Sequence, residues 1–265
     1  MKKNRLRKLL NEGKPSMSTR LESTWGLVTE AVGFTGHFDY IEFAAEYSPY
    51  NQGDLENICR AAELSDMGSM IKVDFQNRAY VAQKALASGF QAILFTDHKT
   101  PDEVRETMHV IRPDDPEDGG RFGRPNRRFS GFSWNMPQMD YAKMVRETVI
   151  AMMVEKKEAL DNLAKICDVP GVDMVQFGPS DYSMSNGWNA VEHVDEYKEA
   201  ERRMIKIALE HGVQPRCEIN TPDQAKYYLD LGVRHFCLGD ELRTNINYWT
   251  SAGGELRKIL SETVK

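Results

Sequence analysis

Two carboxylates stand where two short apolar runs stop. Ile150-Ala-Met-Met-Val154 ends directly in Glu155, and Met174-Val-Gln-Phe177 breaks at Gly178-Pro179 and delivers Asp181 just past its end. At the ends of consecutive buried strands, Glu155 and Asp181 could converge on one divalent cation. Such an ion takes one or two carboxylates and completes its shell with substrate oxygens and water. Oxygen ligands without paired histidines point to Mg2+ or Mn2+ first, and to Co2+ or Zn2+ after them. A single carboxylate after a strand is equally a helix cap or first-turn residue, so the pair carries the expectation.

Other reactive side chains fall at the ends of further apolar runs: Glu46 and Tyr47, Lys72 and Asp74, Asp97 and His98, Glu218, and Asp240 with Glu241. A ring this rich in carboxylates is costly unless something positive sits inside it. Lys72 lies within Ser69-Met-Ile-Lys-Val73, where an unpaired ammonium is expensive. It either reaches an anionic substrate or pairs with a buried carboxylate. His98 reads as a proton-transfer group or as an exposed loop histidine between Asp97 and Lys99. The Gly178-Pro179-Ser180 turn is either only a turn or a cradle offering backbone N–H groups to a carboxylate, Pro179 having none to give. Gly119-Gly-Arg-Phe-Gly123 lacks the Gly-x-x-x-x-Gly-Lys-Ser/Thr pattern of a phosphate loop and is set aside.

What must position these residues is an alternation that runs the length of the chain. Short strands are expected over 17–21, 40–44, 69–73, 92–95, 150–154, 174–177, 214–217 and 235–238, each followed by helical sequence. Asp54 is expected to cap one helix and Pro101 to open another, while Gly212 stops the long helix over 194–210. Buried parallel strands alternating with helices imply a sheet covered on both faces. Eight such units in one domain spanning 1–265 read as a (β/α)8 TIM barrel, with a doubly wound open sheet as runner-up. Active residues of that barrel lie at the C-terminal strand ends. The segment 112–138, rich in Pro, Gly, Asp and Arg, is expected as a long loop acting as a lid or an oligomer contact. Its Arg121, Arg124, Arg127 and Arg128 either meet a substrate carboxylate or are solvated. The basic start, Met1 to Leu10, is expected as a surface helix, and the last helix fills about 241–261.

Composition bounds the partners. A net charge of −6 over 265 residues argues against nucleic acid or an anionic membrane, and no apolar run approaches the roughly 18 residues of a membrane span. Cys59, Cys167, Cys217 and Cys237 form no Cys-x-x-Cys, which fits reduced thiols in a cytoplasmic protein.

At Val154-Glu-Lys-Lys-Glu-Ala159, at Val172 through Ser183 and at Ala225-Lys-Tyr-Tyr-Leu-Asp-Leu-Gly232, the chain resembles the HpcH/HpaI class II aldolases. The resemblance covers most of the chain, from about Pro15 to the last helix. It implies a barrel that exchanges its last helix between subunits and assembles as a homo-oligomer, a trimer or hexamer. It also implies Glu155 and Asp181 as the metal carboxylates, and Gly178-Pro179-Ser180 as the turn that holds the carboxylate of a pyruvate-like 2-oxo acid. The implied activity is a carbon–carbon lyase in which the cation stabilises an enolate that adds to an aldehyde or is released on cleavage. Four departures stand out. Lys72 occupies the place of a usual arginine, Met153 that of a glutamine, and Ala45-Glu-Tyr-Ser-Pro49 replaces Gly-Glu-His-x-Pro, so Tyr47 stands where the acid/base histidine would be and Ala87 where its acidic partner would be. The expected roles are enolate stabilisation by Lys72 and proton transfer by Tyr47 or His98. The alternatives are a relative of the citrate lyase β subunit acting on an acyl thioester, and a metal- and oxo-acid-binding barrel without catalysis.

Overall fold

The protein is described here from a computed structural model covering residues 3–263. Eight parallel strands close in sequence order into a barrel. They are β1 (Ser16–Leu21), β2 (Tyr40–Ala44), β3 (Gly68–Val73), β4 (Ala92–Phe95), β5 (Val149–Val154), β6 (Met174–Phe177), β7 (Gln214–Ile219) and β8 (His235–Asp240). Every expected strand is present, and the single-sheet barrel excludes the open doubly wound alternative.

Helices cover the outside in chain order. After β1 comes α2 (Gly26–Phe34), preceded at the N-terminus by α1 (Arg5–Asn11). Then follow α3 (Gln52–Leu64), α4 (Arg78–Ser88), α5 (Pro101–Ile111) and α6 (Gln138–Arg146). The second half carries α7 (Lys157–Asp161), α8 (Leu163–Cys167), α9 (Pro179–Ser185), α10 (Val194–Glu210), α11 (Gln224–Asp230) and α12 (Glu241–Glu262). Local chemistry sets the starts. Asn51 caps α3, and Asp54 closes a reciprocal capping box with it instead of being the cap itself. Thr100 and Glu103 do the same for α5, with Pro101 in its first turn.

Side chains alternate across each strand, so the protein has two cores. Outward residues such as Ile41, Phe43, Ile71, Phe95, Met152 and Phe177 pack beneath the helices in one large cluster. Inward residues Met70, Ala92, Leu94, Val149, Ala151, Met153 and Met174 fill the β3–β6 half of the barrel. Leu6 of α1 belongs to this inner cluster and is buried. Helix α1 is therefore a plug at the N-terminal end of the barrel, not the surface helix that its basic composition implies. Asn4 donates to Gln91 O and Glu147 O at 2.8 Å, and Arg7 holds Asp173 through two hydrogen bonds, which anchor the plug.

The 112–138 segment does not cover the mouth. Arg128 donates to Ser88 O and pairs with Glu63, at the C-terminal ends of α4 and α3, and Arg127 pairs with Glu56. Phe129, buried on this segment, faces the same N-terminal hollow as Asn4 and Thr148. The segment thus lies toward the face opposite the C-terminal strand ends, and its Arg124 satisfies the carbonyls of Ser133 and Met136.

Helix α12 leaves the barrel. Asp240 caps it by accepting from Arg243 N at 2.7 Å, but none of its 22 residues is buried. Beside it, the outward residues Phe236 and Leu238 of β8 stay partly exposed, unlike the outward residues of β2 to β6.

Candidate functional site

Glu155 continues the inward phase of β5, after Val149, Ala151 and Met153, and so hangs over the C-terminal mouth. It is 2% exposed. Its Oε1 accepts from Asp97 N at 2.8 Å, and its Oε2 is buried without a hydrogen-bond partner among the described residues. Burial pushes the carboxyl up to about 7, against the pull of Lys72 and the Asp97 N–H. On the neighbouring strand, Gly178 falls in the same inward phase after Met174 and Gln176. A Cβ there would lie 2.9 Å from Met153 Cε and 3.1 Å from Glu155 Oε2, so only glycine lets the turn approach the carboxylate this closely. Pro179 then starts α9 and places Asp181 in its first turn. Burial presses the Lys156 pKa down, but Asp97 at 2.8 Å, Glu155 and Asp181 together hold it above the ordinary lysine value.

Lys72 projects inward from β3 and pairs with Glu46 at 2.6 Å. Burial lowers its pKa and Glu46 raises it, with the pair prevailing. Tyr47 lays its ring 5.3 Å from the Lys72 ammonium and is otherwise exposed. Burial of the phenolic end pushes its pKa up to about 12, with Lys72 opposing and Glu46 and Asp181 assisting.

The other half of the barrel interior is ionic. Arg216 of β7 is fully buried; it donates to Tyr40 Oη and Ser18 Oγ at 2.8 Å, to Gln176 Oε1, and pairs with Glu42 at 2.6 Å. One layer nearer the mouth, Arg20 of β1 contacts Glu218 at 2.9 Å, Glu22 at 3.0 Å and Asp240 at 3.4 Å. Sequence reasoning missed this network. Its trace is a parity: Ser18 with Arg20, Tyr40 with Glu42, and Arg216 with Glu218 each stand two apart on the inward phase of a strand.

A cavity of about 460 Å3 opens at the mouth. Lys72 of β3 lines one side, and the Gly178–Asp181 turn after β6 with Glu218 and Asn220 of the adjoining β7 end lines another, with Arg20 and Arg243 between β7 and β1. Larger hollows of about 630 and 610 Å3 lie around α1 at the opposite end, lined by Lys3, Lys8 and Glu12 with Glu147 in one and Asp66 in the other, away from the C-terminal strand ends. The mouth therefore brings together Glu155, Asp181, Lys72, Tyr47, Gly178, Pro179 and Ser180.

It does not gather His98, and the expectation of a strand-end acid/base there is corrected. Asp97 adopts a left-handed backbone, φ 59°, and the chain turns His98 into the helix layer. There the ring is 1% exposed; Nδ1 faces Thr96 O at 2.8 Å, Nε2 faces Thr107 Oγ1 at 2.7 Å, and Phe75 and Phe95 flank it. Burial takes its pKa down to about 4.

Among the described residues, no group of three or more His, Cys, Asp or Glu is placed to hold a metal ion. An ion that takes two carboxylates and fills its shell from substrate and water needs no such group. The unpartnered Glu155 Oε2 beside the Gly178 gap fits that kind of site.

Known proteins share this architecture. A 4-hydroxy-2-oxo-heptane-1,7-dioate aldolase of Escherichia coli is 26% identical over 236 residues, 89% of this chain and 88% of its own. A hydroxypyruvate/pyruvate aldolase of Paraburkholderia phytofirmans is 22% identical over 258 residues, 96% of this chain and 98% of its own. The solved structure of an HpcH/HpaI aldolase/citrate lyase family protein from Burkholderia cenocepacia J2315 superposes with a TM-score of 0.84 at 23% identity, covering 96% of this chain and 99% of that one. A citrate synthase structure gives 0.82 at 22% identity, which speaks for the fold alone. With the family model matching residues 48–236, the chain belongs to the HpcH/HpaI aldolase/citrate lyase family.

Proposed function

We propose that this protein is a class II, divalent-metal-dependent carbon–carbon lyase that acts on a 2-oxo acid through a pyruvate-type enolate, with an aldehyde as the second product or reactant. The observation that carries the reading is the buried, unpartnered Glu155 Oε2 facing the Gly178–Asp181 turn across the mouth from Lys72. Glu155 and Asp181 hold the cation, Mg2+ or Mn2+ in preference to Co2+ or Zn2+. When bound, it supplies Lewis-acid polarisation of the 2-oxo acid.

The remaining roles belong to the chain. Gly178-Pro179-Ser180 receives the substrate carboxylate; Gly178 N already donates to Val154 O, so the N–H groups of Ser180 and Asp181 are the ones on offer. Lys72, kept cationic by Glu46, stabilises the negative oxygen of the enolate as a point charge. Tyr47 stays protonated at neutral pH and donates a hydrogen bond to the aldehyde oxygen.

The 22-residue α12, with no buried residue, supports a second copy of the chain as partner. It would cover the partly exposed β8 wall of a neighbour in a trimer or hexamer. Among the described residues no helix is long and apolar enough to cross a membrane.

The deciding experiment is deuterium exchange into the methyl group of pyruvate, followed by NMR with and without Mg2+. Metal-dependent exchange supports the lyase. Binding of oxo acids without exchange moves the assignment to a binding barrel, and activity confined to acyl thioesters moves it to a citrate lyase-like reaction.

A further inference from the structure

Carbon–carbon cleavage of a 4-hydroxy-2-oxo acid needs a group that accepts the hydroxyl proton and later returns one to carbon. The obvious candidates fail. The phenol of Tyr47, raised to about 12, gives protons but does not take them near neutrality. Lys72 is held as a cation by Glu46. Both ring nitrogens of His98 are engaged in the helix layer.

Three carboxylates line the mouth cavity among the described residues: Asp181, Glu201 and Glu218. Asp181 is assigned to the cation. Glu201 is closed off, since Tyr228 Oη lies 3.0 and 3.1 Å from its two oxygens and Lys198 pairs with Oε2 at 2.6 Å. Glu218 differs. Arg20 fixes Oε2 at 2.9 Å, no donor is placed on Oε1 among the described residues, and the side chain is 28% exposed toward the cavity. It sits at the C-terminal end of β7, beside the Gly178–Asp181 turn of the neighbouring strand β6 and across the mouth from Lys72 of β3, and lines the same cavity as both.

We propose that Glu218 is the proton-transferring residue of this site, oriented by Arg20. The proposal rests on the lyase reading above. In the cleavage direction, Glu218 takes the proton of the C4 hydroxyl. The C3–C4 bond breaks as the C4–oxygen double bond forms, and its electron pair passes to the enolate stabilised by Lys72. Glu218, now a carboxylic acid, returns the proton to C3 and gives the methyl ketone of the 2-oxo acid. No other reactant is required.

The charges around Glu218 suit this cycle. Arg20 from β1, Arg216 on its own strand and Lys72 from β3 favour the ionised form, and Glu42 from β2 opposes it, while Asp240 of β8 and Glu22 share Arg20. Burial outweighs the cations and lifts the pKa above the ordinary carboxylate value.

The test compares wild type, Glu218→Gln and Glu218→Asp by methyl exchange of pyruvate in D2O with Mg2+. Mn2+ binding by electron paramagnetic resonance and pyruvate binding by calorimetry are read in parallel. Glu218→Gln is expected to slow exchange about a hundredfold with both bindings unchanged, and to lose the rise of rate with pH that wild type shows. Glu218→Asp, which keeps a carboxylate beside Arg20, is expected to recover part of the rate with a shifted pH profile. Exchange in Glu218→Gln as fast as in wild type overturns the assignment while leaving the lyase reading standing. Equal losses in both variants, tracking loss of pyruvate binding, also overturn it, because they indicate a structural role. Absence of exchange in wild type overturns the lyase reading and the proposal together.

Discussion

Lys72 and Glu46 form a 2.6 Å ion pair at the ends of adjacent strands, each side chain 9% exposed. The pair settles which reading of a lysine inside an apolar run applies: its carboxylate partner is two residues beyond β2, where Ala44 aligns with Lys72 in the parallel register. The ammonium also faces the mouth cavity, so pairing and substrate contact are compatible.

From this follows a kinetic prediction. Lys72→Ala removes the side-chain cation assigned to the enolate oxygen and lowers kcat for 2-oxo acid cleavage by about 100- to 1,000-fold. Lys72→Arg retains much of the rate, since the charge remains. Steady-state kinetics check both, and a Lys72→Ala enzyme with wild-type kcat would remove the residue from the mechanism.

Glu155 gives a pH signature in the metal-free protein. Burial raises its pKa from 4.5 to about 7, so the folded state binds this proton more tightly than the unfolded chain. The stability it contributes is fully present below 4.5 and is lost as pH rises through about 7. The change is on the order of 3 kcal/mol across that window. Melting curves in EDTA are expected to fall more steeply with pH for wild type than for Glu155→Gln. Mn2+ added above neutrality should stabilise wild type and leave the variant where it was.

Much of the architecture is written in the chain because buried parallel strands are short apolar runs, and β3, β4, β5 and β6 are of that kind. The mouth positions of Glu155 and Asp181 were legible for the same reason, since Glu155 directly follows the β5 run and Asp181 comes just after the Gly178-Pro179-Ser180 turn that ends β6. What resisted reading depends on barrel closure. Arg216 makes β7 look like a poor strand, and its counter-charge Glu42 lies on β2, close to it only once β8 and β1 seal the sheet. His98 shows a second limit. A strand-end position does not say which way the side chain turns, and the left-handed backbone at Asp97 sends this one outward.

The Arg216–Glu42 pair yields a stability prediction. Both side chains are essentially inaccessible to water. Arg216→Met leaves the Glu42 carboxylate buried without its partner and costs about 3–5 kcal/mol. Combining it with Glu42→Leu removes the orphaned charge and recovers most of that loss. Urea unfolding of the single and double variants measures it. If the double variant is no more stable than Arg216→Met, the ion pair is not the source of the effect.

The last prediction concerns α12. Leu242, Ile246, Trp249, Leu256 and Leu260 are all more than a third exposed, and their spacing draws an apolar stripe along one side of the helix. At 22 residues the helix is about 33 Å long, as long as a small domain is wide. A stripe of that length facing water is unfavourable for an isolated chain. The wall that an eighth outer helix would cover is also incomplete, with Phe236 and Leu238 of β8 partly exposed and Leu27 and Phe34 of α2 open to solvent. An unburied helix and an uncovered wall on one chain are complementary, and exchange between copies satisfies both at once. Ile246→Glu combined with Trp249→Glu should therefore convert an oligomer into a monomer in sedimentation, with the barrel's circular dichroism retained because α12 contributes no buried residue to its own chain. Wild type sedimenting as a monomer at micromolar concentration would show that α12 does not pair copies of the chain.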